Sequence, residues 1–257
     1  YVGGIATFNE AINKRISSDL KFAEAISIPL TFLFLLFVFG GLIASAMPVV
    51  VAISAILGAF VILYLISLAT GVSIFALNLI TGLGMGLGID YSLLMVNRFR
   101  EELKSGKSVE EAVVQTVKTA GRTVFFSGIT VMISLASLMF FPQMFLKSFG
   151  YGGVAVVAIA IVGALIPLPA ILALLGTKID KFVVRKSAIT PKEDGRWAHT
   201  ARFVMKRPVA VVFLSLLILG TIASPIKDIV FSQVDTRVLP ASDKAAIAAQ
   251  VGLDKFP

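Results

Sequence analysis

The chain has 257 residues, of which 57% are hydrophobic and 15% are charged, and its mean hydropathy is +0.94. Soluble domains carry about 25% charged residues, so this composition excludes an ordinary soluble domain and predicts an integral membrane protein. The net charge of +8 does not indicate a nucleic-acid partner, because fifteen of the 23 lysines and arginines fall in two segments, 97–122 and 176–207, as the positive-inside rule predicts for cytoplasmic segments.

The chain begins with an amphipathic stretch that leads into two hydrophobic runs. Residues 1–26 contain apolar residues at helical spacing from Phe8 to Phe22. The first predicted membrane span covers 27–47, where we expect Pro48 to end the helix. The second predicted span, 49–69, follows after almost no loop.

The third predicted span, 74–96, carries Asp90, the single charged residue in any of the predicted spans. An ionised carboxylate is costly at membrane depth, so Asp90 must face protein or water, be paired, or be protonated. Four glycines precede it in two overlapping GxxxG pairs, which permit close helix packing: Gly82, Gly84, Gly86 and Gly88. Asp90 either fixes a helix contact or handles a proton, and its depth in the membrane favours the second interpretation.

The polar segment 97–122 has the signature of a separate helix. Ser108 and Glu111 form a capping box that would start this helix, and Gly121 is expected to end it. Its apolar residues keep helical spacing between basic ones. This pattern fits a helix in the membrane interface or a solvated helix that packs on the protein, and both interpretations place the segment in the cytoplasm.

The fourth predicted span, 123–141, carries hydroxyl side chains along one face, at spacings of three and four residues: Thr123, Ser127, Thr130, Ser134 and Ser137. Small polar residues of this kind are common at ordinary helix contacts in membranes. Opposite an acid, however, a row of hydroxyls can solvate a proton or carry water, and we favour this role.

Two further spans complete the hydrophobic runs. The fifth covers 148–175, and we expect Pro167 and Pro169 to bend it near its end. A basic linker, 176–207, leads to the sixth span at 208–224, with Pro208 at the helix start that proline favours. The remaining polar residues, 225–257, include a helix predicted from Asp243 to about Asp254, with Ser242 as its N-cap.

The two basic segments also set the topology. With 97–122 and 176–207 in the cytoplasm, all six spans fit in alternating directions, and both ends of the chain lie on the external side. The sequence shows no nucleophile elbow, phosphate-binding loop or spacing of metal ligands, and it has one histidine and no cysteine. We therefore expect no enzyme, metal or cofactor.

Several motifs resemble one family of transporters. The segment Gly86-Leu-Gly-Ile-Asp90-Tyr91, continuing to Glu102, resembles the fourth transmembrane helix of the RND superfamily, and the Asp-Tyr pair is similar to its MMPL branch (mycobacterial membrane protein large). Other stretches agree with that branch: Tyr1-Val-Gly-Gly4, Ala120-Gly-Arg-Thr123 with Phe126-Ser127, Leu239-Pro240 and Phe256-Pro257. The resemblance covers essentially the whole chain.

The resemblance implies an all-α bacterial inner-membrane transporter that exports lipids or other hydrophobic molecules with the proton as coupling ion. The six spans would be helices two to seven of twelve, with 27–175 as a sterol-sensing-like bundle. Residues 1–26 and 225–257 would be remnants of two periplasmic porter domains. Asp90 would carry the proton, with Tyr91 as its hydrogen-bonding partner and Ser127 as a neighbour. We add Thr130 and Ser134 to this relay because of their spacing.

The same resemblance implies missing partners. The chain opens without a methionine and lacks a second Asp-Tyr helix, so we expect it to be part of a larger protein and to need the remaining half of the transporter. Two alternatives stay open: a sterol-sensing-like module that binds lipid or assembles without transport, and an auxiliary factor of protein export. Tyr91 directly after the acid disfavours the second alternative.

Overall fold

The computed structural model describes residues 5–182 and 196–228, together with 247, 248 and 251. By internal contacts the chain divides into two compact units, one comprising residues 19–189 and the other residues 1–18 with 190–257. Within the described residues, six helical stretches are long and apolar enough to cross a membrane: Glu10–Phe39, Leu42–Ser67, Phe75–Lys104, Val109–Phe140, Met144–Asp180 and Pro208–Ile226. The predicted all-α class with six membrane helices is confirmed.

The described α-helices, in chain order, are α1 (Ile5–Phe39), α2 (Leu42–Ser67), α3 (Phe75–Lys104), α4 (Val109–Thr116), α5 (Arg122–Ala136), α6 (Met144–Leu165), α7 (Pro167–Leu175), α8 (Arg196–Lys206) and α9 (Pro208–Ala223). A π-helical turn, Val117–Gly121, joins α4 to α5 without interruption. Tighter 3₁₀ turns extend three helices: Ser137–Phe140 after α5, Gly176–Asp180 after α7 and Ser224–Asp228 after α9.

The predicted boundary between the first two spans is wrong. The first helix ends at Phe39, because Gly40 adopts a φ of +65° that right-handed helix cannot continue. Pro48 lies inside α2, close to its start. Neighbouring helices and local adjustment make a proline tolerable in a membrane helix, so Pro48 does not terminate this one.

The prediction for segment 97–122 is correct for the start of its helix and wrong for its end. The first eight residues of this segment extend α3 to Lys104, and a short turn follows. The capping box of Ser108 and Glu111 is present and starts α4, as predicted. The helix does not stop at Gly121, which keeps helical dihedral angles (φ −61°, ψ −39°) and continues into α5.

The apolar face of α4 packs on the protein rather than facing away from it. Ala112 and Thr116 are buried, as is Ala120 in the π turn. This face contacts α3 and α7. This packing is compatible with both interpretations of the segment, a helix in the membrane interface and a solvated helix packed on the protein.

The centre of the larger unit consists of α2, α3 and α6, and α5 packs against α6. Small residues make α6 the most deeply buried of these helices, with Gly152, Gly153 and Ala160 among its buried positions. The chain breaks between α6 and α7 at Ile166, directly before Pro167, which agrees with the predicted bend. The helix begins at Met144, four residues earlier than predicted.

The smaller unit includes α8 and α9. Pro208 is the first residue of α9, as predicted. Several predictions lie outside the described residues: Tyr1–Gly4, Leu239-Pro240, the Ser242 cap and Phe256-Pro257. The helix predicted from Asp243 to Asp254 does too, apart from residues 247, 248 and 251, which are helical.

The close contact of α3 with α2 gives a first prediction. A Cβ atom at Gly88 would lie 2.6 Å from the Ala52 Cα, whereas one at Gly86 would meet nothing within 4 Å among the described residues. We expect Gly88→Ala to destabilise the 257-residue chain by about 1–3 kcal/mol, because the backbone of α2 must move. Gly86→Ala is the control and should be close to neutral.

Thermal unfolding of both variants in detergent checks this expectation. A lower Tm for Gly88→Ala alone is the expected result. Equal Tm values for the two variants would contradict the packing of α3 on α2.

Candidate functional site

Asp90 lies in the middle of α3, on the side that faces away from α2 and α6. Gly82 and Gly86 precede it at intervals of one turn on the same side, and both are exposed. The carboxyl group borders an open groove of about 410 Å³ between α1 and α3. Polar side chains on the walls of this groove are Glu24, Ser27, Thr31, Asn78 and Thr81. Asp90 is therefore accessible from outside the central helices.

Tyr91 points in a different direction from Asp90, because successive residues of a helix are rotated by about 100°. Its side chain is 6% exposed and faces α5. A Cβ atom at Gly128 would lie 3.3 Å from the Tyr91 hydroxyl oxygen, and the Ser127 side chain is within its electrostatic reach. Within the described part of the chain, this buried hydroxyl has no partner with hydrogen-bond geometry.

An unpaired buried hydroxyl is uncommon and needs an explanation, such as a bound water or a role in proton transfer. Asp90 precedes Tyr91 along α3, and Ser127 precedes Gly128, the α5 residue whose Cβ would lie 3.3 Å from the Tyr91 hydroxyl. The structure thus places the Tyr91 hydroxyl beside the part of α5 that carries Ser127, whereas Asp90 lies on another side of α3, and proton transport by these three residues stays a prediction.

The other two predicted relay residues lie on the exposed face of α5. Thr130 donates a hydrogen bond to the Phe126 carbonyl (2.9 Å), and Ser134 donates to the Thr130 carbonyl (3.0 Å). Each hydroxyl keeps acceptor lone pairs for water. Among the described residues, neither side chain has an interaction with Asp90 or Tyr91, so the structure gives no support to their place in the relay.

The four predicted packing glycines divide into two pairs. A Cβ at Gly84 would lie 2.5 Å from Ile56 and 2.9 Å from Val156, and Gly88 is equally close to α2. These two glycines permit α2 and α6 to pack closely against α3. Gly82 and Gly86 have no neighbour within Cβ contact distance in the described structure, so they leave space beside Asp90 rather than packing.

The sequence analysis missed a buried arginine near the end of α3. The Arg100 side chain is almost fully buried; it donates to the Phe39 carbonyl (3.1 Å) and pairs with Asp180 (2.6 Å). It therefore ties the last residue of α1 to the 3₁₀ turn after α7. The signal that could have found it is spacing, since Arg100 shares a helical face with Ser92 and Val96, which are both buried.

A second group of charges surrounds Glu102, which is also buried. Its carboxylate pairs with Arg98 one turn earlier and with Lys107 in the following turn, both at 2.5 Å. Arg98 contacts Glu101 as well, at 3.3 Å. These pairs fix the end of α3 and the turn that leads to α4.

The helices and the position of Asp90 define a multi-pass membrane protein with an acid midway along a glycine-rich span. The chain belongs to the MMPL family, whose family profile matches residues 1–211.

Similar proteins extend beyond this chain. A putative membrane protein of Streptomyces coelicolor is 42% identical over 95% of this chain and 34% of its own length. The trehalose monomycolate exporter MmpL3 of Mycolicibacterium smegmatis is 34% identical over 100% of this chain and 28% of its own length. The mycolic acid-containing lipids exporter MmpL11 of the same organism is 29% identical over 88% of this chain and 24% of its own length. The chain spans about a third of the length of these relatives, or less.

The Arg100 contacts give a second prediction. Removing the guanidinium with Arg100→Ala leaves the Phe39 carbonyl and the Asp180 carboxylate without this partner. Because Asp180 is partly exposed, we expect a loss of about 1–3 kcal/mol rather than the full effect of a buried pair. Lys118→Ala removes an exposed positive charge from the same end of the bundle and is the control.

The measurement is the Tm of each variant in detergent. Arg100→Ala should unfold at a lower temperature than Lys118→Ala. The role assigned to Arg100 is wrong if the two variants unfold together.

Proposed function

We propose that this chain is part of an RND-type exporter of the MMPL family that moves lipids or other hydrophobic molecules with the proton-motive force. The observation that carries the proposal is the placement of Asp90 and Tyr91 on a span of a chain in this family, with the acid on an accessible groove and the Tyr91 hydroxyl buried towards α5. The names of two relatives, as exporters of trehalose monomycolate and of mycolic acid-containing lipids, support a lipidic substrate.

In this proposal Asp90 binds and releases the proton that drives export. A carboxylate is costly at membrane depth unless it is paired, hydrated or protonated, so an acid at this position is suited to binding and releasing a proton. Tyr91 links Asp90 to Ser127 on α5, because its hydroxyl can both donate and accept a hydrogen bond. The proton is the coupling ion, and the mechanism needs no metal or cofactor.

Conformational coupling would follow from the packing of α3. Gly84 and Gly88 have no side chains, so few side-chain contacts hold α3 in one position against α2 and α6. A change of charge at Asp90 therefore acts on a helix that can move against its neighbours. The remaining half of the transporter, which this chain does not include, would supply the second acid and the larger part of the porter domains.

We further propose a bacterial cell membrane as the location. The basic segments 97–122 and 176–207 would lie in the cytoplasm, and both ends of the chain would lie on the external side. The proposed topology puts the exposed end of α3, with Arg98 and Glu101, at the cytoplasmic surface.

Export by the full-length parent protein tests the proposal. Asp90→Asn keeps the size of the side chain and removes the ionisable group, so we expect loss of proton-dependent lipid export with normal membrane insertion. The control is Glu10→Gln, which removes an exposed carboxylate from the first helix. Retained export in Asp90→Asn would overturn the proposal. If the wild-type protein exports no lipid and Asp90→Asn still binds lipid, the sterol-sensing-like alternative is favoured.

The Tyr91 hydroxyl allows a separate prediction. Tyr91→Phe removes a buried polar group that has no hydrogen-bond partner in the described structure, so the fold should lose little stability, about 1 kcal/mol or less. Export should nevertheless slow, because the link from Asp90 to Ser127 is lost. Unfolding temperature and export rate, measured on the same preparation, separate the two effects. An unchanged export rate would show that the hydroxyl has no part in transport.

A further inference from the structure

The helix formed by α4, the π turn and α5 is longer than the hydrocarbon core of a membrane. The continuous stretch Val109–Phe140 has 32 residues and is therefore about 48 Å long, whereas the hydrocarbon core is about 30 Å thick. Residues 123–140 alone are about 27 Å long and include no charged residue. This apolar part has the length to fill the hydrocarbon core, so the residues before it lie at the polar boundary or beyond.

Two basic residues lie at this boundary on the outward side of the helix. Lys118 and Arg122 are exposed and four residues apart, which is close to one turn of an α-helix or a π-helix. Exposed apolar residues continue the same strip at the same spacing, with Val114 before the two cations and Phe126 after them. Positive charges next to apolar side chains are suited to the zone where lipid headgroups meet acyl chains.

The two cations differ from their neighbours in having no carboxylate partner. The basic residues at the end of α3 and in the following turn, Arg98, Arg100 and Lys107, each pair with a carboxylate. In the described part of the chain, no such pair involves Lys118 or Arg122. The protein therefore neutralises three cations here itself and leaves two for a partner of opposite charge. Two cations one turn apart are complementary to one phosphate group between them.

Aromatic contacts position the Arg122 guanidinium. Its Cζ atom lies over the Phe126 ring, 5.7 Å from the ring centroid. Phe126 in turn packs edge-to-face with Phe125, at a centroid distance of 5.7 Å. This contact leaves the guanidinium N–H groups able to donate to the oxygens of an anion. The guanidinium is thus placed at the boundary, and both phenylalanines extend from it along the exposed surface of the apolar part of the helix.

We propose that Lys118 and Arg122 bind the phosphate group of an anionic phospholipid in the cytoplasmic leaflet, with Phe125 and Phe126 against the first part of its acyl chains. The ammonium and guanidinium groups donate hydrogen bonds to the phosphate oxygens. A phospholipid occupies both parts of the strip at once, because its phosphate group and its acyl chains are joined. The inference rests on the topology given with the proposed function, which puts this end of the helix at the cytoplasmic surface.

The charge of the site determines which headgroup it prefers. A zwitterionic headgroup carries its own cation beside the phosphate, and the two basic side chains repel that cation. An anionic headgroup has no such cation, and each basic residue near the surface strengthens its binding. Glu110, on the same strip, precedes Lys118 by two turns, or about 12 Å, so it does not compensate either charge.

Lipid selectivity is measured on the full-length protein with any cysteines replaced. This chain has none of its own, so Val114→Cys carries a single fluorophore one turn from Lys118. The protein is reconstituted in phosphatidylcholine vesicles that contain a small fraction of brominated phosphatidylglycerol or brominated phosphatidylcholine, whose bromine atoms quench the fluorophore at short range. We expect half-maximal quenching at a fraction of the anionic lipid at least about fivefold lower than that of the zwitterionic one.

Substitutions of the two cations assign the preference to this site. The double variant with Lys118→Gln and Arg122→Gln should be quenched equally by the two lipids, whereas Lys118→Arg keeps the charge and should keep the preference. The control is Lys21→Gln, which removes an exposed positive charge from α1 that has no second basic residue within one turn. Equal quenching without these substitutions, or a preference that persists in the double variant, would overturn the proposal.

Glu110→Cys separates this inference from the topology on which it rests. Glu110 is exposed in the first turn of α4, so a membrane-impermeant thiol reagent should label this variant from the cytoplasmic side alone. Labelling from the external side would overturn the topology and the lipid site together. Cytoplasmic labelling with equal quenching by the two lipids would overturn the lipid site, and the proposed function, which Asp90→Asn tests, would stand.

Discussion

The close approach of α3 to α2 and α6 determines how the candidate site is presented. Gly84 and Gly88 have no side chains, so the backbone of α3 lies against Ala52 on one side and near Val156 on the other. Once these two glycines face the bundle, the helical repeat places Gly86 and Asp90 on a different side, beside an open groove. The orientation of the acid therefore follows from packing that does not involve the acid itself.

Tyr91 connects this accessible side of α3 to the interior. It follows Asp90 directly along the chain, and its side chain is buried with the hydroxyl close to Gly128 of α5. In the proposed function, Tyr91 would carry the effect of a protonation change at Asp90 to α5. Arg100 fixes the far end of the same helix to the end of α1 and to the turn after α7.

Local signals predicted much of this structure. The six spans, the acid within the third and the capping box of Ser108 and Glu111 depend on neighbouring residues alone, and each is present. The end of α1 was misplaced because two local signals competed, and the left-handed Gly40 prevailed over Pro48. The bond from Arg100 to the Phe39 carbonyl joins residues 61 positions apart, so no local pattern specifies it. Nor does a local pattern specify which of the four glycines pack against a neighbouring helix and which two lie beside open space.

The central claim is that Asp90 binds and releases the proton that drives the proposed export. The most direct measurement is infrared difference spectroscopy of the full-length protein in lipid, titrated with pH, comparing wild type with Asp90→Asn. The account predicts a protonated-carboxyl band that changes between low and high pH in wild type and is absent from Asp90→Asn. Identical carboxyl bands in the two proteins across the titration would contradict it, because Asp90 would then keep one protonation state throughout.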